Sequence, residues 1–362
     1  MPKKLNSFSR VIIPIMKNKK VFVTISGGVD SSVAATLLKE QGYDCTGVYF
    51  KLFDTQKAKG IWQKAQGLCK HINIPFKLYD LRKEFKRKVQ AYFIQEYKNG
   101  RTPNPCVICN EQIKFGLFFD RAMKEGADLI ATGHYARIFR THHPTPYTLL
   151  MGKDKSKDQS YFLYRLNQKQ LSKTLFPIGE YTKTEVKEFA KKYKLPTAKS
   201  KESQDICFLQ NKSINEYLKK FIRTNEGNIT DAKGNVLGTH DGYFKYTIGQ
   251  REGLGLSGGP YYVVGIDAKK NTVIVTNSNT SNYLLKSEIR IKSPSWIRGK
   301  APKLPLKCQV SIRLNHSPQK ATLNRKENSY IITFKESQRA PTPGQSAVVY
   351  KGEECLGGGI IL

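Results

Sequence analysis

Apolar and polar positions along this chain change their period twice. Val21-Phe22-Val23-Thr24-Ile25 is a β-branched apolar run and predicts a buried strand. After it, Val33, Ala34, Leu37 and Leu38 keep helical spacing, and Gly42 stands where that helix would stop. Further strand-like runs fall at Gly47 to Phe50, Phe76 to Tyr79 and Asp128 to Thr132. Between them Leu81, Phe85, Val89, Phe93 and Tyr97 lie four apart, with Arg82, Lys83, Lys86, Arg87 and Lys88 on the other faces, which predicts an amphipathic helix. Thr182-Lys183-Thr184-Glu185 fits a capping box opening a helix that carries Val186, Phe189, Ala190 and Tyr193. Alternating strands and helices predict an α/β fold, a doubly wound parallel sheet with its ligand at the carboxyl ends of the strands.

The pattern changes after about residue 211. Glycines and turn pairs multiply, as in Asp231-Ala232-Lys233-Gly234-Asn235. From about Lys286 short strands alternate with turns: Cys308 to Leu314, Lys320 to Leu323, Tyr330 to Phe334 and Ala347 to Tyr350. This predicts a small C-terminal β-barrel. The expected division is a basic extension over residues 1–19, a catalytic α/β domain over 20–211, a small central domain over 212–285 and the barrel over 286–362. The extension has no acidic residue, and Val11-Ile12-Ile13-Pro14-Ile15 is too short and too broken for a secretory core. It is expected to be a basic arm or to precede a true start at Met16, with organelle targeting as the alternative.

Charge adds a partner to this outline. Lys and Arg total 61 against 29 acidic residues among 362, a net charge of +32, which points to a polyanion. The 19 Tyr and 18 Phe suffice for a core and for base stacking. No apolar run reaches the length of a membrane span. The seven cysteines form no small-domain framework, which argues for a reducing, cytoplasmic setting over a secreted disulfide scaffold. Cys106 and Cys109 make one C-x-x-C. A structural zinc site wants a second pair of ligands, and only His134, His142 and His143 keep that option open. Pro103 and Pro105 bracket a loop expected to end in a helix beginning near Asn110. Cys109 would then sit at a helix N-terminus with a lowered pKa.

The most specific string is Ser26-Gly27-Gly28-Val29-Asp30-Ser31-Ser32, between the first strand and the first helix. Gly27 and Gly28 allow a tight turn that exposes backbone N–H groups, and the helix start adds unpaired donors, so an anion fits there. Hydroxyls of Ser26, Ser31 and Ser32 are expected to add donors, and Asp30 to help hold Mg2+. The Gly-Lys-Ser/Thr ending of a Walker loop is missing, and so is the dinucleotide G-x-G-x-x-G. The string resembles the PP-loop of ATP pyrophosphatases, which implies ATP cleaved to AMP and pyrophosphate.

From about Lys20 to Leu362 the chain resembles the tRNA-specific 2-thiouridylases. The matching strings include Ser26 to Ser32, Gly100 to Cys106, Cys109-Asn110, Ala131 to Tyr135, Lys157 to Leu163, Phe176 to Gly179, Ile206-Cys207-Phe208, Gly249-Gln250-Arg251, Thr342 to Gln345 and Leu356 to Ile360. The resemblance implies adenylation of the wobble uridine of tRNA, a persulfide on Cys207 and Cys109 as nucleophile, with a transient disulfide between the two as one route. It implies ATP contacts at Thr24, Ile25, Ser26, Gly27, Gly28, Val29, Asp30, Ser31, Phe50 and Gly133. It also implies tRNA contacts at Asn104, Pro105, Cys106, His134, Asp158, Gln159, Ser160, Arg313 and Gln345. The implied partners are glutamine, lysine and glutamate tRNAs and a sulfur donor such as a cysteine desulfurase or sulfur relay protein. Thr24, Phe50, Leu314 and Cys106 stand where relatives often carry Gly, Met, an aromatic residue and Asp, and a loop after Phe50 is shortened. Two other readings stay open: another PP-loop enzyme, either a sulfurtransferase or an amidating synthetase, and a non-catalytic RNA-binding protein. A synthetase has no need of two distant thiols.

Overall fold

The computed structural model describes residues 18–140, 147–200, 206–210, 212–279, 282–314, 316–327 and 329–362. The basic extension up to Lys17 with Met16, together with His142, His143 and Ser203 to Asp205, lies outside these residues. The chain gathers into two compact units. One takes the chain up to Asp80 with Phe118–Gln159 and Gln168–Glu202; the other takes Leu81–Leu117, Ser160–Asn167 and Ser203–Leu362.

The first unit is the expected α/β layer. Its strands are β1 (Lys20–Thr24), β2 (Asp44–Lys51), β3 (Phe76–Asp80), β4 (Leu129–Ala131), a hairpin of β5 (Ala136–Arg140) and β6 (Tyr147–Met151), and β7 (Thr174–Leu175). Five of them form one parallel sheet in the order β3-β2-β1-β4-β7. β1 lies inside the sheet, so Val21 and Val23 are fully buried, as a continuous apolar run requires. Strands are added on one side of β1 and then on the other. The crevice between the carboxyl ends of β1 and β4 is therefore the switch point where such sheets take ligands. Helices Val29–Glu40, Gln56–His71 and Lys183–Lys192 supply Val33, Leu38, Leu68, Val186 and Ala190 to the same core. The capping box at Thr182 is formed as expected, with both reciprocal hydrogen bonds present.

The second unit carries a four-stranded sheet and a barrel. β8 (Gly227–Asp231), β9 (Val236–His240), β10 (Tyr262–Asp267) and β11 (Thr272–Thr276) pair in the order β10-β11-β8-β9 over Ile229, Val263, Val273 and Val275. β12 (Leu285–Trp296), β13 (Leu306–Ser311), β14 (Gln319–Lys326), β15 (Ser329–Arg339), β16 (Ser346–Lys351) and β17 (Glu354–Ile361) follow in order β12-β15-β14-β13-β16-β17, closed by pairing of β12 with β17. Closure needs glycine. A Cβ on Gly357, whose φ is +137°, would lie 2.1 Å from the Ser295 carbonyl, and one on Gly358 would lie 2.3 Å from that of Ala347.

One feature of this unit departs from regular helix. The stripe Leu81, Phe85, Val89, Phe93, Tyr97 is buried throughout, yet a four-residue repeat overshoots an α-helical turn by about 40° each time. The helix absorbs part of the drift by widening: Lys86–Gln90 is π-helical between the α-helical turns Arg82–Phe85 and Ala91–Lys98.

Candidate active site: a phosphate loop and three thiols

In the first unit β1 runs into the loop Ile25 to Gly28 and then into the helix Val29–Glu40. Gly27 has φ +81°, a conformation that favours glycine, and a Cβ there would lie 2.8 Å from Ile61 Cγ2. Gly28 is the N-cap, and no side chain caps the helix, so the first-turn N–H groups keep their capacity for an anion. The loop is braced from within. Ser31 Oγ accepts from the Ser26 N–H at 3.1 Å and donates to the Gly28 carbonyl at 3.2 Å, and Ser32 Oγ donates to the same carbonyl at 2.8 Å. The expected hydroxyl donors at Ser31 and Ser32 are thus engaged by the loop itself, leaving the backbone N–H groups as the main donors. Gly133, just past β4, closes the crevice: a Cβ there would sit 2.7 Å from the Ser31 nitrogen. Phe50, at the end of β2, packs on Phe118 with ring centroids 5.0 Å apart.

Asp30 is already engaged. Lys183 Nζ lies 2.6 and 2.8 Å from its two carboxylate oxygens, and the Tyr135 hydroxyl donates to it at 2.8 Å. Lys183 is 7% exposed. It opens the capped helix, and its backbone N–H donates to Asp154 Oδ2 at 2.9 Å. The signal for Lys183 is present in the sequence only as the second residue of the capping box. Nothing local shows that a lysine 153 residues away pairs with the loop aspartate.

In the second unit Asn104 caps a short helix, Pro105–Cys109, accepting from the N–H groups of Cys106 at 3.1 Å and Val107 at 3.4 Å. The helix begins at Pro105 and not near Asn110, which instead opens a π-helical stretch, Asn110–Phe118. This corrects the expectation for Cys109. It is the last residue of the helix, away from the N-terminus, and burial pushes its thiol up to about 11 against the pull of Lys114. Cys106 is also raised by burial. Cys207 is an exposed residue, yet crowding by the surrounding protein, with Cys109 and Cys106 beside it, pushes its thiol up to about 12. These three thiols and Lys114 therefore share one electrostatic neighbourhood, although Cys207 lies far along the chain.

Phe208 fixes Cys207 there. It is 5% exposed, and its ring meets Phe93 at 5.1 Å, Tyr217 at 5.2 Å and Phe85 at 5.9 Å. Burying such a ring stabilises by roughly 1.5–3 kcal/mol. All seven cysteines are free thiols, and among the described residues no group of three or more His, Cys, Asp or Glu side chains is placed to hold a metal ion.

Known proteins resemble this chain along nearly its whole length. Family models described as the tRNA methyl transferase HUP domain, the tRNA methyl transferase PRC-barrel domain and the aminomethyltransferase beta-barrel domain match residues 19–211, 215–277 and 286–361. The tRNA-specific 2-thiouridylase of Geobacillus kaustophilus is 42% identical over 352 residues, covering 94% of each chain. That of Francisella tularensis subsp. novicida is 42% identical over 360 residues, 96% of this chain and 100% of its own. The chain belongs to the tRNA-specific 2-thiouridylase family. Its fold is accordingly a phosphate-loop domain with a parallel sheet, a central PRC-barrel domain and a C-terminal β-barrel.

The residues that family resemblance assigned to RNA are placed unevenly. Arg313 is exposed beside Leu314 in the β13–β14 connection, where Ser311 Oγ donates to the carbonyls of Arg313 and His316. His134 is buried, with Nδ1 2.6 Å from Thr132 Oγ1. Asp158 accepts from the Gly152 N–H at 2.8 Å and Gln159 from the Tyr135 N–H at 3.1 Å. Ser160 is fully buried, 3.2 Å from the Tyr350 hydroxyl. Pro105 is buried in the short helix and Cys106 half-buried. In this thiouridylase-family chain Asp158, Gln159 and Ser160 hold the protein's own framework, and Gln345 Nε2 donates to the Thr102 carbonyl at 2.9 Å.

Proposed function

We propose that this protein is a tRNA-uridine 2-sulfurtransferase that uses ATP to thiolate the wobble uridine. The observation that carries the reading is the shared field of Cys109, Cys207 and Lys114 in a chain that also holds an open phosphate loop. ATP is the co-substrate. Its phosphates suit the uncapped first turn after Gly28, and the close approach of Gly133 to the Ser31 nitrogen suits a backbone cradle. Uridine O2 is a poor leaving group, and transfer of AMP to it with loss of pyrophosphate makes it a good one.

Sulfur then comes from Cys207, loaded as a persulfide by a donor protein such as a cysteine desulfurase or relay protein. The Cys109 thiolate attacks Sγ of Cys207, forming a Cys109–Cys207 disulfide and expelling the outer sulfur, either as hydrosulfide that then adds to C2 or once that sulfur is already bonded to C2; an external dithiol reductant reduces the disulfide for the next turnover. Departure of AMP from C2 completes the exchange of oxygen for sulfur. Both thiols rest protonated, so they wait in an unreactive form and a proton must leave before either acts.

Mg2+, when bound, would neutralise the phosphates. Asp30 is one carboxylate already shared with Lys183, and the described residues offer no cage for the ion, which would arrive held largely by phosphate oxygens. The substrates are proposed to be glutamine, lysine and glutamate tRNAs, and the setting the cytoplasm. Mass spectrometry of tRNA nucleosides from cells with and without the gene tests this. Loss of 2-thiouridine supports it; unchanged 2-thiouridine with loss of a methylated nucleoside overturns it in favour of methyl transfer. In vitro, ADP as the turnover product would rule out the phosphate-loop chemistry.

A further inference from the structure

The turn that leads into β16 reaches the segment before the thiol helix at three points. Pro343, Gly344, Gln345 and Ser346 are consecutive, and three of them grip the segment that leads into Pro105–Cys109. The Pro343 carbonyl accepts from the Thr102 N–H at 2.9 Å. Gln345 Nε2 donates to the Thr102 carbonyl at 2.9 Å. The Ser346 carbonyl accepts from the Tyr161 hydroxyl at 2.9 Å, and that same hydroxyl meets the Asn104 side chain. Thr102 thus has both backbone groups tied to one turn, and Asn104, the cap of the thiol helix, is tied to the next residue.

The turn itself is rigid. The Gln345 N–H donates to the Thr342 carbonyl at 3.1 Å, the Gly344 N–H donates to the Ile361 carbonyl at 3.0 Å, and the Ile361 N–H donates to the Gln345 carbonyl at 2.8 Å. Gly344 has φ +95°, and a Cβ there would lie 3.0 Å from Thr102 C and O and 3.1 Å from Arg101 Cβ. On the other flank Arg101 grips the buried Glu96 with two bonds of 2.6 Å, and its backbone N–H closes the end of the preceding helix on the Glu96 carbonyl. The four residues Arg101 to Asn104 are therefore clamped from the helix side by Glu96 and from the barrel side by Pro343 to Ser346.

We propose that Gln345 is a positioning residue for Cys109: the turn Pro343–Ser346 holds Thr102 and Asn104 so that the thiol helix keeps its cap and its register. The side chain that family resemblance assigned to RNA is engaged in this clamp. The inference rests on the thiolation reading for its effect on turnover, but not for its effect on the thiol.

The test labels Cys109 with iodoacetamide in the full-length protein, without tRNA or ATP, and follows the Cys109 peptide by mass spectrometry. Gln345→Leu removes the donor and keeps the bulk. Loosening the clamp exposes a thiol that burial now suppresses, so labelling is expected to speed up by about fivefold, the weight of one net hydrogen bond. In thiolation assays kcat falls by about tenfold with KM for tRNA little changed, because a displaced nucleophile costs rate and not binding. Gly344→Ala, which pushes on Thr102, gives the same pair of changes. Thermal melts check that each variant is folded; if Gly344→Ala does not fold, Gln345→Leu decides alone. Wild-type labelling with a raised KM makes Gln345 a direct RNA contact and overturns the proposal, as does wild-type labelling with no kinetic change. Faster labelling in a protein that fails to thiolate any tRNA leaves the clamp standing and removes the proposed function.

Discussion

The phosphate loop and the thiol region solve opposite problems. The loop is made of neighbours in sequence, its donors are backbone N–H groups, and its side chains brace it from within. It is ready for an anion as it stands. The thiol region is assembled from segments far apart, Cys109 on a short capped helix and Cys207 anchored by Phe208, and its surroundings push both thiols above the ordinary cysteine range. A binding site gains from being preformed, whereas a reactive sulfur in a reducing cell gains from being quiet until its substrate arrives.

The sharpest way to break this contrast is to remove the sulfurs. Cys109→Ser and Cys207→Ser are each expected to abolish 2-thiouridine formation, while Cys106→Ser keeps much of it; normal product from either of the first two would remove them from the chemistry. The loop comes next. Asp30→Ala is expected to stop AMP release and to cost about 1–3 kcal/mol in denaturant unfolding, since it leaves the Lys183 ammonium without its carboxylate at a site only partly open to solvent. Adding Lys183→Met should recover the stability and not the activity. Recovery of both would show that the pair is only structural.

A smaller effect is expected from the field around the thiols. Lys114→Gln removes the positive charge that pulls Cys109 toward thiolate, so the labelling-versus-pH curve should move to higher pH. Stability moves with the same group. The Cys109 thiol is raised from 9.0 to about 11, so its contribution is complete below pH 9 and is lost as pH rises toward 11, where the unfolded chain ionises first. An unmoved labelling curve would mean that Lys114 does not reach the sulfur. The least effect is expected at the capping box: Thr182→Ala should cost about 1 kcal/mol by chemical denaturation, and a larger loss of ATP turnover than of stability would show that the cap places Lys183.

These outcomes also mark what the sequence could convey. The loop is legible because Ser26 to Ser32 act through local turns and helix geometry. The capping box at Thr182 and the barrel strands are legible for the same reason. The start of the thiol helix is misplaced because two prolines suggest a longer loop, whereas Pro105 serves as the first helical residue, a position that needs no N–H. The Asp30–Lys183 pair and the Gln345–Thr102 bond join residues far apart in the chain, and no period or motif carries such pairings.

The widened turn at Lys86–Gln90 has a consequence for how this chain tolerates change in length. A π turn is an α-helix with one residue to spare. Deleting a residue there would let the turn close to regular α-helix, with the turns on either side keeping their faces. Phe93 and Tyr97 would stay on the buried face, and Phe93 is one of the rings that seat Phe208 next to Cys207. A single missing codon in this turn would thereby leave Cys207 seated and the phosphate loop whole, whereas the same loss in a straight α-helix would rotate everything beyond it by about 100°.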